Sequence, residues 1–93
     1  MDKIEAVDFE TLDRISRHCP QALTTYLSCV LHSRGEQQTT IDRQYVEDIF
    51  LISWTKFKNH LRALTAEMVI HHHVLGDSAL VHIVDHDPED SYE

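Results

Sequence analysis

The sequence predicts one α+β domain, mainly helical with a small β-hairpin, and three observations carry that prediction. Trp54, Phe57, Leu61, Leu64 and Met68 recur at helical spacing and form one continuous apolar face. After Met68 the period drops from 3.6 to 2, through Val69-Ile70 and His71-His72-His73-Val74-Leu75. Gly76-Asp77 then separates that run from a second β-rich run, Ser78 to Val84, as a two-residue hairpin turn does. Ninety-three residues leave no room for a second core.

Four helices are expected. Asp8 can cap the first, which runs to about His18 with Phe9, Leu12, Ile15 and Cys19 on one face. Pro20 breaks it and starts the second, because proline suits a first helical position. That helix runs to Ser33, and Leu23, Tyr26, Leu27, Val30 and Leu31 form its inward face. Gly35 is placed to end it in a left-handed cap. Thr39-Thr40-Ile41 has β-branched composition but is too short to stand alone, so the downstream hairpin is its expected partner. Asp42 caps a third helix, Arg43 to about Phe50, with Tyr45, Val46, Ile49 and Phe50 inward. Leu51-Ile52-Ser53 forces a sharp turn before the fourth helix, Trp54 to about Glu67, which Ser53 caps. In the hairpin Ile70 pairs with Ile83, His72 with Val81 and Val74 with Ala79, while His71 faces His82 on the other side. A slip of one residue would pair His72 with His82 instead, and the sequence leaves both registers open.

The chain is 42% hydrophobic and 26% charged, which suits a soluble globular protein rather than a disordered one. It contains no apolar run near the roughly 20 residues of a spanning helix. MDKIEAVDFE has no apolar core of a secretory signal, so a cytoplasmic location is expected. Cys19 and Cys29 make no disulfide framework, and with His18 and His32 they match no familiar zinc spacing. The net charge of −8 is uneven: 85–93 carries −5, whereas 51–67 carries +2. An acidic total argues against simple phosphate binding. The last nine residues read as a solvated, mobile acidic tail.

The ordered set from Ala22 to Val84 resembles the winged helix-turn-helix superfamily. The resemblance rests on Thr-Ile-Asp-Arg-Gln-Tyr-Val-Glu-Asp (40–48), the Ile52-Ser53 turn, His60-Leu61-Arg62-Ala63-Leu64 and the Val69-Ile70 entry into the wing. It implies about four helices with a wing of two or three strands. The chain would then divide into an N-terminal helix over 1–19, a winged domain over 20–84 and the tail over 85–93. Leu51 and Met68 stand where such proteins commonly place glycines, so each either becomes left-handed or shifts the geometry. The wing also lacks Arg and Lys between Val69 and Val84.

That resemblance makes the fourth helix the reader of double-stranded DNA. Its outer face carries Thr55, Lys56, Lys58, Asn59, Arg62 and Thr65. Asn59 suits adenine, Arg62 or Lys58 suits guanine or phosphate, and Ser53 and Thr55 suit phosphate at the helix N-terminus. The expected DNA-binding set is Ser53, Thr55, Lys56, Lys58, Asn59 and Arg62. The bland reading is an ordinary solvated face.

The histidine run has three readings: solvated side chains, a metal site, or a wing that becomes cationic below about pH 6.5. For metal, His71, His73 and His82 would share one face, with Asp85 or His86 beyond the strand end. No glycine-rich phosphate loop, nucleophile context or paired inward carboxylates support catalysis, so no enzyme and no cofactor is expected. The first expectation is a sequence-specific transcriptional regulator acting as a homodimer, with the first helix as dimer element. The alternative is an acidic winged-helix module or inhibitor that binds a protein rather than DNA.

Overall fold

In a computed structural model, residues 9–84 are described. The expected Asp8 cap and the acidic tail lie outside them. The elements run α1 (Phe9–His18), a 3₁₀ turn (Pro20–Ala22), α2 (Leu23–Ser33) and β1 (Gln38–Asp42). They continue through α3 (Arg43–Tyr45), a π-helical turn (Val46–Phe50), α4 (Trp54–Ala66), β2 (Ile70–Leu75) and β3 (Ser78–Ile83). The class is α+β: helices packed on a three-stranded antiparallel sheet of order β1-β3-β2.

α4 is the central helix. Trp54, Phe57, Leu61 and Leu64 are buried, and the last three are fully so. Each such side chain contributes about 1.5–3 kcal/mol of transfer free energy. Ile15, Tyr26, Ile41, Val46, Val69, Ile70 and Val81 close the core around them. Met68, expected on the same face, is instead 66% exposed. The helix has ended at Ala66, and Met68 lies in the left-handed region at φ 64°, turned away from the core.

Of the two registers left open, the sheet has the one with its turn centred at Gly76-Asp77: Ile70 opposite Ile83, His71 opposite His82, His72 opposite Val81 and Val74 opposite Ala79. The slipped register would have put Ile70 and Val81 on opposite faces of the sheet, yet both are fully buried. Gly76 alone takes a positive φ in the two-residue turn, at 62°, as a type II′ turn requires of its first central residue. β1 pairs with β3 from Gln38–His82 to Asp42–Ser78. The short β-branched stretch thus finds its partner in the hairpin.

Three helix faces differ from expectation. On α1, Phe9 is 80% exposed and Thr11 is buried in its place, because the first turn projects past the core while Ile15 and Cys19 enter it. On α2 the buried residues are Thr25, Tyr26, Cys29 and Ser33, with Ala22 just before them; Leu27 and Leu31 face outward. Tyr26 and Cys29 set the buried side of the helix, with Thr25 and Ser33 beside them, so Leu27 and Leu31 fall on its rim. On the third helix Val46 is buried and Phe50 half-buried, but Tyr45 and Ile49 are exposed. The expected regular helix becomes a π turn after Tyr45, and the wider turn swings Ile49 off the inward face. The left-handed cap of α2 begins one residue earlier than expected, at Arg34 (φ 53°), with Gly35 following at φ 89°. The Arg34 N–H donates to the Leu31 carbonyl at 3.2 Å.

α1 is integral to the fold. Its Arg14 Nη1 donates to the Glu67 carbonyl at 3.2 Å, and His18 Nδ1 lies 2.8 Å from Glu67 Oε1. Both contacts fasten α1 to the C-terminal end of α4.

Candidate nucleic-acid interface

The outer face of α4 owes its presentation to two caps at the N-terminus. Ser53, extended at ψ 154°, accepts the Lys56 N–H on Oγ at 3.1 Å. Glu47 reaches back from the π turn and accepts the Trp54 N–H on Oε2 at 3.2 Å. Between them Leu51 adopts φ 62°, the left-handed conformation that a glycine would take without strain. The sharp turn is therefore built with a leucine whose side chain is 76% exposed.

Thr55, Lys56, Asn59 and Arg62 are all exposed on the face opposite Phe57, Leu61 and Leu64. From Thr55 to Arg62 the set spans about 10 Å of helix at 1.5 Å per residue. Arg62 Nη1 donates to Asn59 Oδ1 at 2.7 Å, so the two share one orientation on the surface. Lys58 is set apart: half-buried, it holds Nζ 6.0 Å from the centre of the Trp54 ring, at the edge of the face. Ser53 is exposed at the helix start, but its hydroxyl oxygen is already engaged by the cap.

The acidity of the chain lies mainly elsewhere. Residues 9–84 hold eight acidic and seven basic side chains, a net of −1, so the flanking segments carry the other −7. The ion pairs Arg17–Asp13, His18–Glu67, Arg43–Glu47 and Arg43–Asp77 involve none of Lys56, Lys58 and Arg62.

Two histidine–threonine contacts that sequence reasoning missed flank this face. His60 Nδ1 lies 2.7 Å from Thr25 Oγ1 of α2, and His72 Nδ1 lies 2.6 Å from Thr65 Oγ1 of α4. Burial, then the charge of Lys56, lowers the pKa of His60. Burial, then Arg62 and His73, lowers that of His72. Strand alternation did signal His72, since it put that residue on the core side with Ile70 and Val74. Nothing in the sequence signalled the threonine partners.

His71 and His82 face each other on the opposite side of the hairpin with ring centres 6.1 Å apart, and His73 is exposed two residues along. Among the described residues no three His, Cys, Asp or Glu side chains converge as a metal site; Asp85 and His86 lie outside them. Cys19 and Cys29 are buried free thiols, and burial pushes the Cys29 thiol up to about 12.

A second surface lies between α2 and the π turn. Leu31, His32, Arg34, Tyr45, Ile49 and Phe50 line a groove of about 540 Å³, with Leu31 72% and Ile49 58% exposed. His32, Tyr45 and Phe50 stack edge to face along it, at 4.8 Å and 5.4 Å between ring centres.

Set against known proteins, the chain matches no family model, no curated protein and no solved structure. No helix of the described residues is long and apolar enough to cross a membrane.

Proposed function

We propose that this protein is a winged helix-turn-helix DNA-binding regulator that lays α4 in the major groove and works as a homodimer. One observation carries the reading: Thr55, Lys56, Asn59 and Arg62 are exposed together on a helix whose other side is fully buried. An exposed cationic helix on a rigid support is what phosphate contact and base-edge readout require. The order of helices, the strand order β1-β3-β2 and the left-handed Leu51 and Met68 are compatible with a winged layout. One such helix makes few contacts, and pairing two copies on a two-fold site is the usual remedy.

The test is an anisotropy titration against mixed genomic duplexes at low and moderate salt. Binding is expected to weaken steeply with salt and to fall for Lys56→Glu or Arg62→Glu. Absence of binding at about 50 mM salt, where electrostatic affinity is large, would overturn the reading.

A second reading has its own observation. The groove between α2 and the π turn leaves Leu31, Ile49 and Tyr45 exposed side by side, an apolar surface suited to a protein partner. If DNA binding fails, an interaction module using this groove becomes the preferred account.

A further inference from the structure

The seam between the wing and α4 brings three polar groups of different kinds together. His72 comes from the side of β2 that faces the helix, alternating with exposed His71 and His73, and is itself only half-buried. Thr65 Oγ1 holds its Nδ1 at 2.6 Å. Arg62 stands one turn earlier on α4, exposed, and its charge acts on the imidazole. Resting on the DNA-binding reading, we propose that His72 is a further phosphate contact of this surface. Thr65 holds its imidazole in the seam, and the ring takes up a proton when a nucleic-acid phosphodiester docks beside Arg62.

The geometry leaves the ring only one free nitrogen. With Nδ1 engaged by Thr65, Nε2 is the atom available to an incoming acceptor. The Thr65 contact survives protonation, because the hydroxyl donates to a bare Nδ1 and accepts from a protonated one. The ring therefore keeps its direction in both charge states.

The charged groups around it set the sign of the coupling. From α4, the charge of Arg62 acts on His72; on its own strand His73, on the other face, also acts on it; from β3, the opposite residue is the uncharged Val81. His71 and His82 lie on the other face of the hairpin. In the free protein, burial first and then these neighbours lower the pKa of the ring. A phosphate between Arg62 and His72 replaces repulsion by attraction and accepts a hydrogen bond from Nε2. Binding then draws a proton from solvent, and by linkage acid strengthens binding. This assigns a cationic contact to a wing that contains neither Arg nor Lys between Val69 and Val84.

The test follows each histidine by NMR across about pH 5 to 8, the ordinary imidazole range, with and without a short mixed-sequence duplex. Anisotropy over the same range compares the native chain with His72→Gln, His71→Gln and His73→Gln. The His72 midpoint is expected to rise in the complex. Native affinity should strengthen about three- to tenfold on acidification, which corresponds to a rise of up to about one pKa unit. His72→Gln should flatten that rise, and the other two variants should keep it. A His72 midpoint unmoved by duplex, or a rise that survives in His72→Gln, overturns the inference. The DNA-binding reading stands in that case provided binding at neutral pH stays salt-sensitive and weakens for Lys56→Glu. Absence of binding at every pH overturns both. The NMR arm uses the native chain, so it decides even if a variant folds poorly.

Discussion

Glu47 and Trp54 are joined across the turn between the π-helical segment and α4: the carboxylate accepts the Trp54 backbone N–H at 3.2 Å. The same carboxylate receives Arg43 Nε at 3.4 Å, so one side chain ties the start of α3 to the start of α4. Four N–H groups at a helix start lack intrahelical partners, and this contact answers one of them while Ser53 answers another. Glu47→Ala should cost about 1 kcal/mol, the ordinary value of a lost helix cap. That loss would lower the melting temperature by about 4–8 °C for a chain of this size. Glu47→Gln should retain most of the contact. Thermal melts of the two variants check the difference.

The exposed cations predict a separation of binding from stability. Lys56→Ala and Arg62→Ala should leave the stability within about 0.5 kcal/mol of native, because both side chains are exposed. Each should reduce the log–log slope of affinity against salt by about one unit if it neutralises a phosphate. A titration at several salt concentrations reads both slope and intercept.

Leu51 and Met68 sit at φ 62° and φ 64° with their side chains 76% and 66% exposed. A left-handed residue with a Cβ costs about 1–2 kcal/mol, and glycine gives back about 0.5–1 kcal/mol through unfolded-state entropy. Leu51→Gly and Met68→Gly should therefore each stabilise the fold by about 0.5 kcal/mol. Urea midpoints check this. A loss of stability at Leu51 would mean that its exposed side chain shields the turn in a way the backbone argument omits.

His60 and His72 predict acid sensitivity of the fold. Both have folded-state pKa values below the ordinary 6.5. The unfolded chain then binds protons first, so their contribution is present above about pH 6.5 and is lost as pH falls toward the lower folded values. Urea midpoints at about pH 7.5 and about pH 5.5 should differ in that direction. His60→Gln or His72→Gln should flatten the difference. Acid would thus loosen the free protein while it tightens the proposed complex.

Cys29 is fully buried with its thiol pushed up to about 12, and Cys19 is 4% exposed with its pKa also raised by burial and by Glu67. Reactivity follows the thiolate. Native protein should resist a thiol reagent at neutral pH, and both cysteines should titrate once urea unfolds it. Fast labelling of native protein would mean that the α2 side of the core opens readily.

The parts legible in the sequence share a cause. α4 and the hairpin were readable because their periods are clean and their ends are marked by Ser53 and by Gly76-Asp77. The strand pairing was legible only as two alternatives, and burial of both Ile70 and Val81 selects between them in three dimensions. The faces of α2 and the third helix were misread where bulk misleads. Leu27, Leu31 and Ile49 have the apolar character of core residues, yet packing selected the smaller Ala22, Thr25 and Cys29 beside α4. The π turn has no sequence mark of its own. The outer residues of α4 were visible at helical spacing, whereas the Thr25–His60 and Thr65–His72 contacts depend on how elements approach in three dimensions.

The central place of β3 bears on how the chain reaches its folded state. β2 and β3 form a local hairpin, which closes on the microsecond scale. β1 must wait for a partner that lies 36 to 44 residues further along, from Asp42–Ser78 to Gln38–His82. Closing that long loop is an entropic step that the helices between them must offset, so docking of β1 should limit the refolding rate. Substitutions at Thr40 or Ile41 would then slow refolding, whereas those in the hairpin turn would mainly speed unfolding.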